Sequence, residues 1–203
     1  MYENFFGDEE LKALTSETST PKLTVETTGN HIYFYAGVDS DRVLNLIKNI
    51  RDLDTALRNE QLSRSMKEAL PATPIWLHVQ SGGGDLFAGF GFADQISMIK
   101  TPIYSIVEGY CASAASLITL ACTKRYILPN AFMMIHQLRS FMWGKYEEFK
   151  DEVKLQDMLM DQMVEFYTKH TRISSGDVRE LLKRDSWFNA TQCIERGLVD
   201  GIL

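Results

Sequence analysis

Cysteine is scarce in this 203-residue chain: Cys111, Cys122 and Cys193 are the whole supply. An odd count at these spacings supports neither a disulfide framework nor a zinc site. Excess positive charge is lacking too. With 21 Lys and Arg against 27 Asp and Glu, the net charge is −6. That argues against sequence-independent nucleic-acid binding, which needs clustered cations to neutralise phosphates. Long uncharged apolar runs are also missing. The most apolar stretch, residues 103–122, carries Glu108 and several small polar side chains, so it reads as a buried core segment and not a membrane span. The start, MYENFFGDEE, has neither the basic nor the apolar region of a secretory signal. A reducing, cytoplasmic compartment is the expectation.

What is present is the balance of a folded globular domain, 45% hydrophobic and 24% charged. The acid is unevenly placed. Within residues 1–20, Glu3, Asp8, Glu9, Glu10 and Glu17 face Lys12 alone and 15–20 is the polar TSETST, so residues 1–22 read as an acidic, loose arm. Residues 23–203 read as a single domain, with no repeat and no internal linker.

Period-two and helical patterns alternate along it. HIYFYA (31–36) reads as a strand. Asp39 and Ser40 then cap a helix marked by Val43, Leu44, Ile47 and Ile50, its polar end running to about Leu70 before Pro71. A strand over 75–79 leads through Ser81-Gly82-Gly83-Gly84 into a helix of Leu86, Phe87, Phe90, Ala93, Ile96 and Ile99. A strand over 103–107, a buried helix over 113–122 and short strands at 125–128 and 132–135 come next. A long helix from about 145 to 170 is expected to project or to pack on another subunit. A short helix begins at Ser174 or Ser175, and Gly197 closes a last one. The strand–helix order from 75 to 128 predicts right-handed βαβ units and a largely parallel sheet.

Several residues suit chemistry, each with a plainer reading beside it. The triple glycine lies between a strand and a helix, where it is either a tight turn or a cradle of N–H groups for an anion. It is neither a P-loop nor a GxGxxG fingerprint. Ser113 opens an apolar helix as a nucleophile or as an N-cap, with Ser116 competing. Its surroundings lack the G-x-S-x-G pattern. His136, at a strand end, is a general base or a hydrogen-bonded structural histidine, and His31, His78 and His170 compete for the role. Asp185 orients an imidazole or caps a turn. No His, Cys, Asp and Glu cluster has metal-ligand spacing, so no metal is expected.

Taken together, the motifs resemble the Clp-type proteolytic subunit (ClpP) family from about His31 to Leu203. Glu108-Gly109-Tyr110-Cys111-Ala112-Ser113-Ala114 is similar to the family's Gly-x-Ala-Ala-Ser-Met, with Cys111 for the first Ala and Ala114 for Met. Lys124 to Asn130 with Met133 to Gln137 is similar to KRxxLPN…MIHQ. Arg184-Asp185 through Phe188, Ala190 and Gly197-Leu198-Val199-Asp200 is similar to RDxxF…A…GLVD. By position, the resemblance implies Ser113 as nucleophile, His136 as base and Asp185 as its partner. The N–H groups of Gly84 and Ala114 would form the oxyanion hole.

The implied fold is α/β of the ClpP/crotonase type, stacked βαβ units with a long handle helix in the region 138–172. The implied function is an ATP-dependent serine endopeptidase acting on unfolded protein inside a chamber of paired seven-membered rings. This chain would need no cofactor, because ATP is used by a partner AAA+ unfoldase. The implied docking groove for that partner is Trp76, His78, Met98, Ile106, Tyr126, Leu128 and Leu203. The sequence departs from the family in its N-terminal arm, in the longer 55–73 connection and in Gly82, where the family has Pro. Further departures are His78, Lys183 and Leu138-Arg139-Ser140-Phe141-Met142-Trp143 after Gln137. Other readings are a non-catalytic ring subunit or scaffold, a crotonase-like acyl-CoA enzyme, and a serine–lysine peptidase using Lys124.

Overall fold

Alternation along the first long strands decides which side of the sheet meets the core. In the computed structural model, which describes residues 25–65 and 72–203, Ile32 and Phe34 are fully buried while His31 and Tyr33 face outward. They belong to β2 (His31–Phe34), which follows β1 (Val25–Thr28). The rest of the chain is α1 (Ser40–Ser65), β3 (Ile75–Ser81), α2 (Leu86–Ser97), β4 (Ile103–Ala112), α3 (Ala114–Leu120), β5 (Lys124–Ile127), β6 (Phe132–Ile135), α4 (Tyr146–His170), α5 (Ser175–Leu182), β7 (Ser186–Asn189), α6 (Ala190–Arg196) and β8 (Gly201–Ile202). The acidic arm, and the helical extension with its stop at Pro71, lie outside the described residues.

The sheet order is β1-β2-β3-β4-β5-β8, with β6 on β4 and β7 on β6. The β2-β3-β4-β5-β8 pairings and β4-β6 are parallel, as expected for crossover units. Two antiparallel pairs flank them, β1-β2 and β6-β7, and neither β1 nor β7 was expected from the pattern. The β1-β2 pair turns through Gly29-Asn30 with Gly29 at φ 60, a two-residue hairpin signal present in the sequence. β7 has only four residues, and its pairing with β6 makes it a strand.

β4 departs most from expectation. It runs through Glu108-Gly109 to Ala112 instead of stopping at Val107. Residues 104–107 pair with β5 and residues 110–112 with β6. Gly109, at φ 62, sits where the partner changes. One strand thus serves two neighbours, and its second half delivers Ser113 beside the end of β6.

Asp39 caps α1 by accepting from the Arg42 N–H at 2.8 Å. Leu46, not Leu44, joins Val43 and Ile50 in the core, and Leu44 is exposed. Asp54 is buried and accepts from the Thr101 N–H and Oγ1–H at 3.0 and 2.6 Å, tying α1 to the entry of β4. Every residue of α3 is buried. α4 has 25 residues, about 37 Å at 1.5 Å per residue. Only Met163, Val164 and Tyr167 of it are buried, while Tyr146, Phe149 and Val153 are exposed. The helix is anchored by its C-terminal half and projects by the other.

Candidate active site

Ser113 follows β4 and precedes α3 at φ 56, ψ −132. Among the described residues it is the one non-glycine with positive φ. A serine held there costs on the order of 1–3 kcal/mol, a strain met mostly at functional sites. The sequence lacks the G-x-S-x-G pattern, yet the strand–serine–helix turn is strained in the same manner. The backbone is held on both sides: the Ser113 N–H donates to the Met134 carbonyl at 2.9 Å, and the Ser113 carbonyl accepts from the Ser116 N–H at 2.9 Å and Oγ–H at 2.6 Å. The Ser113 hydroxyl makes no cap bond to α3. It lies 2.8 Å from His136 Nε2 instead.

Ser116 is the weaker candidate for a nucleophile. It is fully buried and occupied by the Ser113 carbonyl and, at 2.6 Å, by the Tyr167 hydroxyl.

The glycine turn packs directly on Ser113. A Cβ at Gly83 (φ 88) would fall 2.6 Å from Ser113 Cβ and 2.9 Å from Ala114 N. A Cβ at Gly84 (φ 150) would fall 2.2 Å from the Val38 carbonyl oxygen. The bridge to Val38 uses the Gly83 carbonyl and the Asp85 N–H and leaves the Gly84 N–H outside it. Ala114 opens α3, where the first N–H groups have no intrahelical acceptor.

His136 is buried just past β6. Burial and the nearby Arg139 charge push its pKa below the ordinary histidine value, and Asp185 pulls the other way. The first two effects favour the neutral imidazole, the form able to accept a proton. The Gln137 N–H donates to the Leu182 carbonyl at 2.6 Å, which ties the end of β6 to the end of α5 and so to Asp185. Asp185 Oδ1 stands 3.9 Å from His136 Nδ1, within ion-pair range and beyond a hydrogen bond. Its two oxygens instead accept from Arg139 Nη2 at 3.2 and 3.1 Å. Pattern reading missed this contact. Arg139 has no motif around it, and only the approach of the α5–β7 turn to the segment after β6 creates the pair.

Beside these groups opens a pocket of about 510 Å³. Leu117, Leu138, Leu155, Leu159 and Met163 give it an apolar wall.

The proposed docking residues spread over the outer sheet face and its margins. His78, Ile106 and Tyr126 share one cross-strand row, and the Trp76 and Tyr126 rings are 5.9 Å apart. His78 and Ile106 are buried, Trp76, Tyr126 and Leu128 are half-buried, and Met98 and Leu203 are exposed. Glu108 enters this face unheralded. Its carboxylate accepts from the Tyr35 hydroxyl and lies 2.6 Å from His78 Nδ1, while His78 Nε2 meets His31 Nδ1 at 2.9 Å.

Three histidines share one pH consequence. Burial lowers the pKa of His78, His136 and His170, with added repulsion from His31, from Arg139, and from Lys169 and Arg125 respectively. Below their ordinary value of 6.5 the unfolded chain binds more protons than the folded one, so stability falls as pH drops through that point. Glu108, whose pKa burial raises, works in the opposite sense, one group against three. The melting temperature is expected to fall from neutral pH to about one unit below the histidine value. A calorimetric Tm unchanged across that interval would refute it.

Known proteins give the arrangement a context. The family model described as Clp protease matches residues 27–203. ATP-dependent Clp protease proteolytic subunit 2 of Treponema denticola is 34% identical over 81% of this chain and 87% of its own length. The subunit 2 protein of Treponema pallidum is 28% identical over 92% and 94%. The solved structure of a ClpP1 mutant from Listeria monocytogenes superposes with a TM-score of 0.71 at 24% identity, covering 86% of this chain and 91% of that one, and shares the fold. The chain belongs to the Clp protease family.

Proposed function

We propose that this chain is the proteolytic subunit of a Clp-type serine endopeptidase. One observation carries the reading: a strained serine lies over a glycine turn with its hydroxyl 2.8 Å from a buried imidazole. Ser113 Oγ attacks the peptide carbonyl as His136 Nε2 takes its proton. The Gly84 and Ala114 N–H groups hold the developing oxyanion. His136 returns the proton to the leaving amine, then deprotonates the water that releases the acyl group from Ser113. Asp185, in ion-pair range of His136 Nδ1, is the partner that stabilises its charged form.

The chemistry asks for no cofactor in this chain. ATP is used by an AAA+ partner that feeds unfolded polypeptide, docking near Trp76, His78, Met98, Ile106, Tyr126, Leu128 and Leu203. The subunits form a chamber of seven-membered rings in which α4 is the handle. Its exposed Tyr146, Phe149 and Val153 support that role. A cytoplasmic site fits three buried, free thiols. An acyl-CoA reading leaves the Ser113–His136 contact without a task.

The test is labelling with a fluorophosphonate, mapped by mass spectrometry, on wild type and Ser113→Ala. The expected adduct sits on Ser113 and vanishes in the variant, and peptide hydrolysis falls by at least about 10³-fold. An assembled ring that takes no label would instead be a non-catalytic ring subunit.

A further inference from the structure

The Asp185 carboxylate has two claimants. Arg139 Nη2 reaches both oxygens at 3.2 and 3.1 Å, whereas His136 Nδ1 stays at 3.9 Å. In this arrangement the guanidinium, not the imidazole, uses the carboxylate. Arg139 and Asp185 side chains are 73% and 51% exposed, so their pair forms in a high dielectric and is readily exchanged. Arg139 belongs to the segment between β6 and α4, which has no regular structure and is pinned at Gln137 to Leu182. Little holds the guanidinium except the carboxylate itself.

We propose that Arg139 is a positioning residue that holds Asp185 away from His136, so that release of the Arg139–Asp185 pair turns the carboxylate to Nδ1 and completes the base. The inference rests on the serine peptidase reading of Ser113 and His136, and makes the base adjustable. Charged groups approach the site from each wall: Asp85 from the start of α2, Glu152 from α4, Arg139 from the segment after β6 and Asp185 from the turn before β7. Of these, Arg139 opposes a proton on His136 and Asp185 favours it. Removing Arg139 therefore raises the His136 pKa twice over, by deleting a cation and by freeing an anion.

The experiment compares wild type, Arg139→Gln and Arg139→Lys in fluorogenic peptide hydrolysis against pH. Runs span about 0.05 to 0.5 M sodium chloride, across which exposed pairs are screened. The His136 imidazole is titrated by NMR in the same proteins. In Arg139→Gln, kcat is expected to rise by up to about fivefold, the population ratio an exposed ion pair can hold. KM stays as it was, and the acid limb and the His136 titration move to higher pH. Salt speeds the wild type and leaves Arg139→Gln unchanged. Arg139→Lys, which keeps the charge but not the planar fork, falls between them.

A slower Arg139→Gln with an unmoved acid limb would overturn the proposal and make Arg139 a substrate contact. Unchanged kcat and an unmoved His136 titration would overturn it as well. The NMR readout does not require turnover. A wild type that neither hydrolyses nor labels therefore sinks the peptidase reading, while the fate of the Arg139 inference is read from the titration.

Discussion

Gly83→Ala is expected to lower kcat/KM by about 10²–10³-fold, the effect of losing one oxyanion donor. The reason is steric. The new Cβ would lie 2.6 Å from both the Ala112 carbonyl oxygen and Ser113 Cβ, and 2.9 Å from Ala114 N. None of these is the free end of a flexible chain, so backbone must shift. The atoms that shift are the nucleophile's own and one proposed donor. φ 88 adds strain of order 1–3 kcal/mol for any residue with a Cβ. Gly91→Ala is the control. It lies within α2, its added Cβ meets nothing within 4 Å, and helix propensity should stabilise it by roughly 0.5–1 kcal/mol at unchanged activity. Steady-state kinetics and thermal melts on the two variants check the pair. A fully active Gly83→Ala would mean that the turn does not set the geometry at Ser113.

Tyr167→Ala should produce the largest loss of stability. Among the described residues Tyr167 is the largest fully buried side chain, at 1% exposure, and it joins the C-terminal half of α4 to α3. Deleting a buried aromatic costs about 3–5 kcal/mol, here on the order of 6–20 °C in Tm. Tyr167→Phe keeps the ring and loses only the hydroxyl contact to Ser116 Oγ, which retains the Ser113 carbonyl as acceptor. That change should cost about 1 kcal/mol and leave hydrolysis within a few-fold. Calorimetry separates the two, and a Tyr167→Ala Tm within a few degrees of wild type would show that α4 is anchored elsewhere. Burial pushes the Tyr167 hydroxyl far above its ordinary pKa, so it stays protonated throughout.

Both variants concern how β4, the glycine turn and α4 converge on Ser113, and that convergence was only partly legible in the chain. Strands and helices with strong periodicity were readable because the pattern is local: Ile32 and Phe34 alternate with His31 and Tyr33, and Asp39, Ser174 and Gly197 mark helix ends by their own chemistry. The four residues of β7 were not, since a short strand exists only through its partner β6. Nor was the length of β4, because Glu108-Gly109 reads as a break until β6 offers a second edge to pair with.

The sequence by itself determined the order and type of the long elements, the glycine turn between β3 and α2, and the chain positions of Ser113, His136 and Asp185 within motifs resembling one family. Tertiary structure alone decided which of those groups meet. It put Ser113 Oγ against His136 Nε2, committed Ser116 to Tyr167, joined Glu108 to His78 and Tyr35, and gave the Asp185 carboxylate to Arg139. The physical reason is range. Periodicity and capping act over a few residues, whereas a hydrogen bond is made or lost within an ångström between groups that here lie 23 to 73 positions apart.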